Sequence, residues 1–157
     1  MPRSRPDRPL SGIAASASRV AHVYRRSKPT DPAHGLAGQG ALSDTDRNEF
    51  KERGRHLLSL LLDHLEGGDR ERSGARLAEA VAAAREYGRL AASSGIALPD
   101  TVEAFVRFRG AFTGELAAVA RRRRLATREA TSLFVEADSA VDRLLIALMS
   151  GHAEGRS

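Results

Sequence analysis

The 157-residue chain contains no cysteine and no tryptophan. The first absence excludes disulfides, thiolate nucleophiles and zinc–thiolate sites. Aromatics are few, five Phe and two Tyr, and those in the periodic segments are needed for the inner faces of helices rather than for stacking on bases. Lysine is nearly missing: only Lys28 and Lys51 stand against an abundance of arginine, a bias that fits GC-rich bacterial coding. No apolar run approaches the roughly 18 residues that span a membrane. Ile13-Ala14-Ala15 is too short for a secretory hydrophobic region, so a cytoplasmic chain without membrane contact is expected. No segment alternates with period two, which leaves helices as the only regular element.

Charge is unevenly placed. The chain carries +5 overall, yet residues 1–28 alone hold Arg3, Arg5, Arg8, Arg19, Arg25, Arg26 and Lys28 against Asp7, a net of +6. The remainder therefore sums to −1. A uniformly basic nucleic-acid-binding domain does not have this distribution.

Residues 1–40 read as a disordered or weakly helical basic arm and linker, dispensable for the fold. Ile13, Ala17, Val20 and Tyr24 make one weak helical stripe, and Pro29, Pro32, Gly35, Gly38 and Gly40 break up the linker after it. Residues 41–152 are periodic at helical spacing. A first helix opens at Ser43 with Asp44 and Asp46 at its positive end, presents Phe50, Gly54, Leu57, Leu61 and Leu65, and stops at Gly67-Gly68. A second runs from about Asp69 to Ser93 with Leu77, Ala80, Val81, Ala84, Tyr87, Gly88 and Ala91 inward. So many small residues imply a close helix–helix approach. A third starts after Leu98-Pro99-Asp100, with Asp100 as N-cap and Glu103 completing a capping box, and ends near Arg121–Arg124. A fourth starts at Thr127, turns Leu133, Phe134, Ala137, Ala140, Val141, Leu144, Leu145 and Leu148 inward, and stops at Gly151. Residues 153–157 read as a disordered tail. Short connections between long helices predict an antiparallel four-helix bundle, an all-α fold.

Nothing in this pattern is a catalytic or cofactor site. His56 and His64 lie eight apart, about 80° around a helix, where zinc pairs want three or four residues. His64 reads as a core or edge histidine bonded to backbone or carboxylate, while His22, His34 and His152 fall in segments expected to be poorly ordered. Gly35, Gly38 and Gly40 have no phosphate-loop spacing, and Ser93-Ser94 is no nucleophile elbow. Arg121–Arg124 reads as cations finishing a helix at its negative end, with a phosphate-binding patch as the alternative. No metal, cofactor or catalytic residue is expected.

Two features do call for partners. Arg109 falls inside the apolar arc of the third helix, between Phe105, Phe112 and Leu116 on one side and Val102, Val106 and Thr113 on the other. A buried guanidinium must pair, bind an anion, or snorkel along its stem; a pair with Asp138 or Asp142 on the fourth helix is the expectation. The third helix also carries a second apolar face, and Val135, Ile146 and Met149 remain unused on the fourth. Leftover strips of this kind mark interaction surfaces, so a homodimer through one of these helices is expected.

The runs Ala84-Arg85-Glu86-Tyr87-Gly88, Gly95-Ile96-Ala97-Leu98, Val102-Glu103-Ala104-Phe105 and Phe108-Arg109, with Asp142, Leu144, Leu145 and Leu148, resemble the helical N-terminal domain of RsbR-type co-antagonists of RsbT. A similar domain precedes output modules in PucR-like regulators. The resemblance covers about residues 44–152 and implies a non-enzymatic sensor or dimerisation domain of a bacterial stress-response or transcriptional regulator, acting through protein contacts with a regulatory partner. It also favours Asp142 over Asp138 as the mate of Arg109. Neither a STAS nor a complete helix-turn-helix output domain finds room in these 157 residues. The alternative is a small nucleic-acid-associated protein using the arginine-rich arm and Arg121–Arg124.

Overall fold

The structure, a computed structural model, describes residues 43–66 and 69–156. They form four helices: α1 (Asp44–Glu66), α2 (Arg70–Ser93), α3 (Leu98–Arg122) and α4 (Thr127–Gly155). Together these make an all-α bundle, without a strand among the described residues. The expectations for residues 1–40 and for Gly67-Gly68 lie outside the described residues.

Side-chain caps start the first two helices. The Asp46 N–H donates to Ser43 Oγ at 3.1 Å, and the Glu71 N–H donates to Asp69 Oδ1 at 3.1 Å, each meeting one of the N–H groups a helix start leaves unpaired. The third helix differs from expectation. Its N-cap is Ala97, without a side-chain cap bond, and Asp100 lies inside the first turn. The cause is the preceding turn: Gly95 at φ +80° reverses the chain early, so Pro99 falls in the first turn, where its missing N–H costs nothing. At the other end, Arg123 caps α3 and Arg124 takes φ 49°.

The core holds Leu57, Leu58, Leu61 and Leu65 of α1, Phe105, Phe112, Leu116 and Val119 of α3, and Leu133, Val141, Leu144 and Leu148 of α4. Leu60 and Leu62 are buried as well, because α1 is covered by both α2 and α4 and so buries more than one stripe. The second helix contributes chiefly Ala80, Ala84, Gly88 and Ala91, and it packs against α4 more extensively than any other pair of helices packs.

This seam depends on missing side chains. A Cβ on Gly88 would collide with the Leu148 carbonyl and stand 2.8 Å from the His152 N. One on Gly151 would collide with the Arg85 carbonyl and stand 2.7 Å from its carbon. Gly151 therefore serves contact rather than termination, and α4 continues through Gly155. The expected tail is helical as far as Gly155, and Glu154 is tied back to Arg89 of α2.

Candidate functional site

Two charged groups and one apolar strip lie on the outside of this frame. At the α2–α4 seam, Arg89 Nε donates to Glu154 Oε2 at 2.8 Å, Arg85 Nε lies 3.6 Å from Glu154 Oε1, and Arg89 also pairs with Glu86. The bond to Glu154 raises the Arg89 pKa above its ordinary value against the opposing effect of burial. All of these groups are exposed, so their contribution is orientational more than energetic.

On the opposite side of α4, Arg109 reaches both carboxylates. Its Nη1 donates to Asp142 Oδ1 at 2.8 Å and its Nη2 to Asp138 Oδ1 at 3.3 Å. Burial works against the guanidinium charge, but hydrogen bonds to Asp142 and then Asp138 outweigh it, and the pKa is raised. The site is not the buried pair expected from the helical wheel: Arg109 keeps 32% of its side-chain surface and the two aspartates keep 60% and 63%. The reason lies next door. Val106, one turn before Arg109, is 53% exposed, and Gly110 and Thr113 are open too, so the second face of α3 has no neighbour among the described residues to seal it. Arg109→Met should therefore cost about 0.2–1 kcal/mol in urea denaturation, the range for exposed pairs, rather than the roughly 3–5 kcal/mol of a buried one. A loss above that range would show the pair to be more shielded than its exposure indicates.

The aspartates belong to a stripe. At about 100° per residue, Val135, Asp138, Asp142, Ile146 and Met149 share the face of α4 opposite Ala137, Leu144 and Leu148. Val135 and Ile146 are each 64% exposed and Met149 is 41% exposed. Tyr87 is elsewhere: half-buried on α2, its ring packs edge-on against Phe50 at 5.3 Å with the planes 64° apart. The structure thus brings Arg109, Asp138, Asp142, Ile146 and Met149 to one region and separates Tyr87 from it.

Three titratable groups are buried, and of these His64 alone is in the backbone-bonded place that its sequence position leads one to expect. His152, expected in a poorly ordered segment, is 2% exposed, and its Nε2 donates to the Ile96 carbonyl at 2.7 Å. Glu115 is buried and accepts from Arg122 Nη2 at 3.2 Å; its place seven residues after Phe108, on the inner stripe, is the sign that could have found it. His64 Nδ1 lies 2.8 Å from the Ser73 carbonyl, to which it donates, while Ser73 Oγ donates to the His64 carbonyl at 3.0 Å. This reciprocal pair ties the end of α1 to the start of α2. Among the described residues no cluster of three or more His, Asp or Glu could hold a metal ion, and no helix is long and apolar enough to cross a membrane.

The fold is an all-α bundle with a close helix–helix seam and an open apolar and acidic face. The chain belongs to the family of the RsbT co-antagonist protein rsbRD N-terminal domain, whose model matches residues 14–157. It is accordingly a stress-response regulatory domain of the sigma-B partner-switching type. The match begins within the basic arm, upstream of the described bundle. No curated protein and no solved structure gives a significant match.

Proposed function

We propose that the chain is a non-enzymatic interaction domain that works in the cytoplasm as a homodimer joined along the outer face of α4, passing regulatory signals through protein contacts. The observation that carries this reading is the exposure of Val135, Ile146 and Met149 on the outer face of α4, which α3 reaches through Arg109. From Val135 to Met149 the stripe is about 21 Å long at 1.5 Å per residue. It has Asp142 at its centre and an apolar residue at each end, so it suits a two-fold, self-complementary contact. In the antiparallel arrangement Val135 of one copy meets Met149 of the other, and Asp142 faces its own symmetry mate. Arg109 bonds that aspartate at 2.8 Å and offsets the charge that would otherwise repel across the axis.

Ile146→Glu tests the proposal, because it adds a carboxylate to the stripe without touching the core. Sedimentation should give dimers for the wild type at micromolar concentration and monomers for the variant, with an unchanged helical spectrum. A wild type that stays monomeric at high micromolar concentration would end the dimer reading. The nucleic-acid alternative has less support: Arg122 is engaged by Glu115, and Phe50, Phe105 and Phe112 are buried in the core rather than available to stack on bases.

A further inference from the structure

Along α3, Val106, Gly110, Thr113 and Ala117 recur at intervals of four, three and four residues and so form one stripe. At about 100° per residue the stripe carries no charge, and Arg109 and Glu103 border it on either side. Val106, Gly110 and Thr113 are exposed and Ala117 is half-buried. The buried residues Phe105, Phe112 and Leu116 lie about 100° away around the helix. This is an apolar face without a neighbour among the described residues.

The chain ahead of the bundle repeats the interval pattern. Ile13, Ala17, Val20 and Tyr24 are also spaced by four, three and four residues, and Arg19, His22 and Arg26 fall on the opposite side at helical periodicity. Both stripes are about 17 Å long at 1.5 Å per residue. The family match begins at Ala14 and runs through the bundle, so the family unit includes this segment as well as α1–α4. Its reach is sufficient. Phe50 of α1 packs with Ala91 and Ile96, which puts the starts of α1 and α3 at the same end of the bundle. Residues 29–42 can span up to about 45 Å, against about 20–24 Å for two helix diameters.

The intervals read the same in both directions, so charge decides the orientation. Arg25, Arg26 and Lys28 follow the stripe directly, while Arg3, Arg5 and Arg8 are separated from it by Pro9 and Gly12, which interrupt a helix. On α3, Asp100 and Glu103 stand near the start and Arg121–Arg124 at the end. Only an antiparallel pairing sets Arg25, Arg26 and Lys28 near the carboxylates and away from the arginines.

We propose that residues 13–27 dock as an amphipathic helix, antiparallel, on this second face of α3 of the same chain. Ile13 then lies against Ala117, Ala17 against Thr113, Val20 against Gly110 and Tyr24 against Val106, so that a larger residue meets a smaller one at each step. The core is formed by α1–α4, and the segment covers the bundle rather than completing that core. With α3 occupied, the outer face of α4 is left as the open apolar surface of the domain. The proposal goes beyond the dimer reading and does not depend on it.

The chain has no cysteine of its own, so paired cysteines in the full chain report the contact. Tyr24→Cys with Val106→Cys, and Ile13→Cys with Ala117→Cys, should each close a disulfide within one chain under mild oxidation. The crossed pairs, Tyr24→Cys with Ala117→Cys and Ile13→Cys with Val106→Cys, hold the thiols about 17 Å apart and should stay open. Amides of residues 14–27 should exchange about tenfold or more slowly than in a free peptide of that sequence. Val106→Glu, at a position 53% exposed and outside the core, should abolish this protection and leave the helical spectrum of the bundle intact. Ile146→Glu, which tests self-association, should change neither readout. Crossed pairs that close as readily as the matched ones would overturn the proposal. So would a segment that exchanges as fast as the free peptide, or protection that survives Val106→Glu. Disulfides between chains would overturn it in favour of a second copy on this face. If the cysteine variants do not fold, the exchange measurement decides alone.

Discussion

Gly151→Ala should destabilise the bundle by about 3 kcal/mol or more, at the upper end of what overpacking costs, and lower its melting temperature by about 10 °C or more. The added methyl would stand against the Arg85 backbone, 2.9 Å from its Cα and closer still to its carbonyl. Backbone cannot rotate away as a side chain can, so α2 and α4 must separate along the whole seam. Gly88→Ala should behave similarly, since the obstacle there is the backbone of Leu148 and His152. The same substitution at Gly110 or Gly114 should act in the opposite direction. Both are exposed positions within α3 with nothing within 4 Å of an added Cβ, so alanine there should gain about 0.5–1 kcal/mol from helix propensity alone. Thermal melts of the four variants check the sign as well as the size. Four similar melting temperatures would show that the seam is looser than its geometry.

Phe112→Ala should cost about 3–5 kcal/mol, the usual loss for a fully buried phenylalanine, while Phe108→Ala should cost about half as much. The two rings stack with centroids 6.0 Å apart and planes 12° apart, yet Phe112 is 1% exposed and Phe108 is only half-buried. Removing Phe112 opens a hole between helices; removing Phe108 trims an edge that water already reaches. Urea denaturation with unchanged m-values would measure both. Equal losses would place the centre of the core nearer the rim of α3 than its burial indicates.

Much of the local architecture is legible from residue order alone. The inner stripes of α2 and α4, the Ser43 and Asp69 starts and the turn at Ser94-Gly95 follow from 3.6-residue periodicity and capping chemistry, which act within a few residues. So does the exposed strip of Val135, Ile146 and Met149, because a residue opposite a continuous core stripe has no place inside. The family resemblance is readable in the same way, as a pattern of apolar positions with a few polar markers.

Features that depend on distances between helices are not readable this way. Gly151 has the look of a stop, since glycine both ends helices and lets them touch, and only the position of Arg85 on α2 separates the two roles. His152, next to it, falls in a segment expected to be poorly ordered, yet its place is set by the carbonyl of Ile96, 56 residues away along the chain. For Arg109 the helical wheel yields the right kind of partner but the wrong degree of burial, because exposure depends on whether anything covers the second face of α3. Residue order fixes the helices, their inner faces and the family to which the chain belongs. Which glycines carry contact, which polar groups are buried and how exposed the Arg109 pair is emerge only when the helices pack. Periodicity is a property of one helix, whereas packing distance and solvent access are properties of its neighbours.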